Sequence, residues 1–284
     1  LDSPMDSLEE VGAVLRHHIR QNILFIDAAH YVLMAQSVRD EYGLPFSRSS
    51  PLACWFSTIL CSFSGTFLTN FLLGDALIAP FMNHFDIIVC TSIWYLYFFS
   101  PFDIFARFCS YSPLRSILAL TKEFQRAYKI GLGVDSGMTE FPAHRHLQVL
   151  VGCSKGNGSG IIKSLQQWVY GSWRPHENEL LKPSTTSKAT LIAAILFASQ
   201  LNKDIALLCS LCLLVGCKAA ALAGITKTPF NLIETPLQAI FFGLPRKIET
   251  SVEDTPKEVK RSPVVSDSDE NNNRNGKTRR RKQY

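Results

Sequence analysis

Residues 118–134 read LALTKEFQRAYKIGLGV, a stretch of membrane-spanning length that lies between apolar runs yet holds Lys122, Arg126 and Lys129. At roughly 100° per residue, spacings of four and three bring the three cations onto one helical face, within an arc of about 60°. That face cannot look into lipid. A cation near mid-bilayer costs about 2.5 to 3.5 kcal/mol on insertion scales, so three unpaired ones would outweigh the apolar gain of the segment. They need an anion, a water-filled cavity, or both. The plain alternative, the solvated face of a soluble amphipathic helix, is opposed by what surrounds the segment.

Hydrophobic residues make up 46% of the 284 and charged residues only 19%, below the usual quarter or so of a soluble domain. The charge gathers near the N-terminus, in short polar stretches and after Arg246, leaving long, nearly uncharged runs between Ile23 and Ile225. That is the pattern of a polytopic membrane protein with a solvated tail. Most of the eight cysteines fall inside apolar runs. Cys209 and Cys212 form a CxxC spacing, but without a second pair or polar surroundings they read as small buried thiols, not as a metal or redox site. The N-terminus is acidic, unlike the basic start of a secretory signal, so insertion is expected to begin with the first spanning helix. Because the chain opens on Leu1, its native start is left open.

Seven spanning helices are expected. The first, residues 22–38, carries Asp27 and His30 on one inward side. The second, 51–73, is rich in small and hydroxyl residues and weakened at Ser64-Gly65; the third, 85–99, carries Trp94, Tyr95 and Tyr97 and is ended or kinked by Pro101. The fourth is the basic segment, entered through Ser112-Pro113. The fifth, 146–168, contains Lys155 followed by Gly156, Gly158 and Gly160, which predicts a break that frees backbone groups and so lines a cavity. The sixth and seventh, 188–201 and 205–224, are plainer and joined by a polar turn. Residues 244–284 form a disordered basic tail ending KTRRRKQY. With that tail cytosolic, seven spans place eighteen Lys and Arg residues on the cytosolic side and four on the far side, as the positive-inside rule requires. An even number of spans would spoil the agreement.

Helices 1–3 and 4–6 each place a polar-interrupted helix first and a glycine-weakened one second, the sign of an inverted three-plus-three repeat followed by a seventh helix. The contrary reading is that the glycines only permit tight packing. No catalytic constellation is present: there is no GxSxG, HExxH or GxxxxGK[ST], and Gly131 and Gly133 lie inside helix 4 without a preceding strand. The sequon at Asn157 would be buried in a membrane helix and unused. Helix 4 descends from the cytosolic side with Lys122 about 13 Å below its start, about nine residues in, and basic pockets at such depths hold phosphoinositide head groups. An anionic lipid on the Lys122–Arg126 face is therefore expected, since an Arg fork matches phosphate.

Several stretches together resemble the trimeric intracellular cation channel (TRIC) family over residues 22–243. They are IDAAHY (26–31), SIWYLYFFSPFD (92–103), KEFQR (122–126) with Lys129-Ile130 and Gly133-Val134, KGNGSG (155–160), GSWRP (171–175), and Thr235-Pro-Leu before Phe242-Gly243. The resemblance implies an all-α fold of seven transmembrane helices in an inverted repeat plus a seventh, and a homotrimer with a pore in each protomer. It implies a potassium-permeable channel of the endoplasmic or sarcoplasmic reticulum membrane, or the nuclear envelope, supplying counter-ion current during calcium release. It also implies that Lys122 and Arg126 hold phosphatidylinositol bisphosphate at the pore, as a bound lipid and not a cofactor; lipid phosphates would neutralise a stripe that otherwise repels cations. Ser64-Gly65 stands where the family has paired glycines, and the polar residues 143–148 predict a late start for helix 5.

The domains expected are a lumenal segment (1–21), the channel (22–243) and the cytosolic tail (244–284). The pore or helix-break residues are Lys129, Lys155, Gly156, Gly158, Gly160, Ser64 and Gly65. Partners are further copies of the chain, membrane lipids and potassium ions, with no nucleic acid, no metal and no enzymatic activity. Arg281-Lys282 resembles a dibasic retrieval signal to the endoplasmic reticulum, or the end of a polybasic run touching anionic membrane. A secondary carrier and a non-conducting phosphoinositide-binding scaffold are the competing readings.

Overall fold

A computed structural model describes residues 4–169, 183–199, 201–224 and 230. The described residues form nine helices: α1 (Pro4–Gln21), α2 (Ile23–Ser49), α3 (Pro51–Leu73), α4 (His84–Phe99), α5 (Ile104–Ser110), α6 (Ser112–Glu140), α7 (Arg145–Val169), α8 (Thr185–Ala198) and α9 (Lys203–Leu222). Their ends sit where local chemistry puts them. Pro51 and Pro113 occupy first turns, where a missing N–H costs nothing. Gly74, at φ +77°, closes α3 in the left-handed conformation that a glycine adopts freely. The side-chain oxygens of Ser184 and Asn202 accept from the backbone N–H groups of Ser187 and Asp204 and start α8 and α9. Within α2 the helix kinks at Gly43, φ +75°, two residues before Pro45.

Pro101 does more than end α4. The chain turns by 92° between α4 and the segment 101–110, through Phe102 and Asp103, both at positive φ. Arg39 of α2 holds this corner: its guanidinium grips both carboxylate oxygens of Asp103 at 2.7 and 2.5 Å and also donates to the Tyr97 carbonyl at 3.4 Å. A bidentate, charge-assisted contact of this kind is strong enough to offset two unfavourable backbone conformations.

α7 packs between α3 and α6, α2 lies against α3, α4 and α6, and α8 and α9 pack on the outer side of α6. Ala189, Ala193, Ala194 and Ala198 of α8 meet Ala127, Ile130 and Val134 of α6 and Leu207, Leu211 and Leu214 of α9 in one core. A second core joins Val32, Met34, Ala35 and Val38 of α2 to Cys54 and Cys61 of α3 and Tyr97 and Phe98 of α4. Small side chains dominate where helices approach closely, as in membrane proteins, where packing replaces the hydrophobic drive. Phe25, Leu52, Phe71, Ile88 and Trp168 point outward, a costly set in water and an ordinary one in lipid. α3 and α9 are each long and apolar enough to cross a membrane, and α4 with the bent segment after it is a third candidate.

Two expectations are corrected. α7 is continuous through Gly156, Gly158 and Gly160, and α3 is continuous through Ser64 and Gly65. The glycines remove side chains where backbones touch: a Cβ on Gly65 would lie 2.2 Å from the Lys155 carbonyl oxygen, and one on Gly158 would lie 2.4 Å from the Gly65 nitrogen. Both helices keep their hydrogen bonds because the glycines serve contact, not unwinding. Residues 4–21 are also more than a leading segment. They form α1, which packs on α9 with Gly12 against the Asp204 backbone and an Arg16–Asp204 ion pair at 2.7 Å. α7 starts at Arg145, close to the expected 146 but inside the polar stretch 143–148, so the late start predicted from that stretch does not occur, and α8 starts at Thr185, before the expected 188. The matching stretches at 171–175, 235–237 and 242–243, Arg174 and Lys182, and the tail with Arg281 and Lys282 lie outside the described residues.

Gly65→Val should cost more than about 3 kcal/mol, beyond ordinary overpacking, because the atom it meets is backbone. Gly216→Ala, with nothing within 4 Å of the new Cβ, should be neutral or stabilising. Thermal unfolding of the purified protein in detergent separates the two outcomes.

Candidate functional site: a basic cleft between α3, α6 and α7

The close approach of α3 to α7 leaves a polar cleft beside α6. It is lined by Ser62, Ser64, Gly65 and Thr66 of α3, Lys122, Gln125, Arg126 and Lys129 of α6, and Lys155, Gly156, Gly158 and Ser159 of α7. Eight of the nine residues expected at the site therefore meet here; Gly160 lies outside the lining. At about 30 Å³ the cleft has room for one or two waters. A wider cavity of about 290 Å³ lies next to it, bordered by Gln36, Asp40, Arg115, Glu123, Lys163, Thr186 and Lys218. Lys122 and Arg126 border both spaces, so they stand at the junction between a wide vestibule and a constriction.

Helical spacing puts the cations on this face, but packing decides which of them are neutralised. Arg126 is 8% exposed and bonds Glu123, itself 2% exposed, at 2.6 Å; it also donates to the Gly156 carbonyl at 3.2 Å. Lys129 pairs with Asp27 of α2 at 3.3 Å, and Gln125 donates to the same carboxylate. Lys122 and Lys155 form no ion pair among the described residues. The cleft thus carries four cations, with carboxylates bonded to two of them. An ammonium group held away from bulk water without a partner is costly, and the arrangement is complementary to a multivalent anion.

His30 faces inward from α2, as expected, and lies within reach of the Ser62 carbonyl, 3.1 Å from its Nε2. A carbonyl only accepts, so Nε2 carries the proton and Nδ1 has no partner among the described residues. Asp27 and His30 have different partners, which supports structural hydrogen bonding and not a proton relay. Sequence reasoning missed Glu123, although its spacing of three from Arg126 is a standard helical ion-pair distance. It also missed Gln125 and the long-range choice of Asp27 as the partner of Lys129, for which a single sequence offers no signal.

Comparison with known proteins gives the family. A family model described as the TRIC channel matches residues 41–224. The chain is 42% identical over 246 residues to trimeric intracellular cation channel type 1B.1 of Caenorhabditis elegans, covering 83% of each chain. It is 40% identical over 177 residues to trimeric intracellular cation channel type B of Danio rerio, covering 62% of this chain and 61% of the relative. Among solved structures, a C. elegans trimeric intracellular cation channel in the absence of Ca2+ superposes with a TM-score of 0.71 at 38% identity, over 78% of this chain and 98% of that one. A structure reported as the basis for activity of TRIC counter-ion channels in calcium release matches with a TM-score of 0.69 at 30% identity, over 75% of this chain and 100% of that one.

Asp27→Leu should destabilise the protein by about 3 kcal/mol, the low end for breaking a buried pair, because Lys129 keeps 27% of its side chain exposed. Asp27→Leu with Lys129→Met should recover most of that loss. A double-mutant cycle on thermal or denaturant unfolding measures the coupling.

Proposed function

This chain belongs to the TRIC channel family, and we propose that it forms a potassium-permeable channel supplying counter-ion current during calcium release from the endoplasmic or sarcoplasmic reticulum. The family assignment makes it a cation channel and not an enzyme. The more specific reading adds that it is a homotrimer, as the names of its relatives describe them, with one pore in each protomer. α2, α3, α4, α6, α7, α8 and α9 are the seven spans, arranged as an inverted three-plus-three repeat and a seventh. α1 and the seven-residue α5 lie at the membrane surfaces, and the C-terminal tail is cytosolic. The count follows the positive-inside balance of the sequence.

The observation that carries the site assignment is the position of Lys122 and Arg126 at the junction of the two cavities, with neither Lys122 nor Lys155 in an ion pair among the described residues. A pore with that lining would exclude cations by its own field. Phosphatidylinositol bisphosphate, entering the 290 Å³ vestibule, supplies the missing negative charge: its phosphates bind Lys122 and Arg126, and the path past them becomes passable to potassium. The cleft of about 30 Å³ is then a closed constriction. Conduction requires α3 and α7 to separate at the Gly65–Gly158 contact, which two helices without intervening side chains can do by sliding.

Full-length protein in liposomes containing about 2% phosphatidylinositol bisphosphate should release loaded potassium and show saturable binding of the lipid. Lys122→Ala with Arg126→Ala should reduce that binding at least tenfold, a loss expected when two charge-assisted contacts are removed. Equal binding by the folded double variant would remove the lipid from this site. Absence of potassium release from wild type would remove the channel.

A further inference from the structure

A second basic cavity lies apart from the cleft, at the corner where α4 turns into α5. It measures about 430 Å³ and is lined by Leu44, Arg48, Phe98, Ser100, Phe102, Asp103 and Arg107. Its one carboxylate, Asp103, is already gripped on both oxygens by Arg39. Arg48 stacks over the Phe99 ring, 5.0 Å from its centroid, and neither Arg48 nor Arg107 forms an ion pair among the described residues. Two guanidinium groups therefore border the cavity with no carboxylate left to match them.

The surroundings are apolar and outward-facing. Phe102, held at φ +53°, is 87% exposed. Ile104 and Phe108 follow one turn apart on an exposed face of α5, and Tyr111, just past its end, is exposed as well. On α4, Ile88, Tyr95 and Leu96 make an exposed apolar face that leads away from the corner. Exposed aromatic residues beside arginines at the end of an apolar helix are the chemistry of a membrane interface. The 92° turn lays α5 across the end of α4, so the corner sits at head-group level with the apolar face of α4 beneath it.

We infer that this corner binds one anionic glycerophospholipid per protomer, its phosphate between Arg48 and Arg107 and its acyl chains along the exposed face of α4. The fork of an arginine matches a phosphate, and Arg48, braced on Phe99, gives up little side-chain freedom on binding. Because Arg39 balances the Asp103 carboxylate, Arg48 and Arg107 leave the corner with net positive charge for the phosphate. In the orientation proposed above the corner faces the cytosolic leaflet, where anionic lipid is concentrated. The site shares no lining residue with the Lys122–Arg126 cleft and needs no phosphoinositide.

Native mass spectrometry of the full chain, released from nanodiscs of phosphatidylcholine with phosphatidylserine, tests the assignment. Arg48→Gln with Arg107→Gln should retain about one anionic lipid fewer per protomer than wild type, whereas Lys122→Ala with Arg126→Ala should keep that lipid. Unchanged lipid retention in the Arg48, Arg107 variant would overturn the inference. So would loss of oligomeric state with lipid retention intact, which would make the corner a contact between copies. If the double variant does not fold, Phe102→Ser removes only an exposed ring and should weaken retention of the same lipid; unchanged retention would again overturn it. Inorganic phosphate added at millimolar concentration should not displace the lipid, since it lacks the acyl chains. Failure of the channel reading leaves all these outcomes unaffected.

Discussion

Everything about this chain follows from placing cations inside a bundle whose outside is apolar. Each unpaired cation near mid-bilayer costs about 2.5 to 3.5 kcal/mol, and α6 and α7 together bring four into one cleft. The fold answers with two carboxylates at short range. Glu123, one turn before Arg126, pairs with that guanidinium from the same helix, the Gly156 carbonyl of α7 accepts from it as well, and Asp27 ties α2 to Lys129. The second pairing fixes which face of α2 meets α6, and hence where His30 and the α2 core residues point. Lys122 and Lys155 form no ion pair among the described residues, which leaves the cleft complementary in charge to an anion.

The same region is where backbones come closest. Gly65 on α3 and Gly158 on α7 meet without side chains, and Lys155 presents its carbonyl to Gly65. Tight glycine contact and buried charge are coupled: only helices this close leave a space of about 30 Å³, and only polar walls keep so small a space hydrated. A constriction held by backbone contact can open through small helix displacements, because no interdigitated side chains need to repack.

The cation stripe of α6, the span at 51–73, the kink at Pro101 and the inward side of Asp27 were legible because each rests on period, length or a proline, all local properties. The meaning of the glycines was not. GNGSG after Lys155 is compatible with an unwound helix or with a close neighbour, and the choice depends on Gly65, some ninety residues earlier in the chain. α1 was missed for a related reason: its polar composition hides a helix that is held by one close approach at Gly12 and an ion pair to Asp204. The partners of Lys129 and Asp103 are long-range choices that one sequence does not encode in readable form. Glu123 was readable, and its role follows from helical spacing alone.

The central claim is that a basic cleft becomes a cation path once lipid phosphate neutralises it. Its most direct test is the reversal potential of single-channel currents, recorded from the full chain in planar bilayers under a potassium chloride gradient with phosphatidylinositol bisphosphate present. Discrete openings that reverse near the potassium equilibrium potential are predicted. Reversal near the chloride equilibrium potential would show that Lys122, Arg126, Lys129 and Lys155 set the field unaided, and would contradict the account.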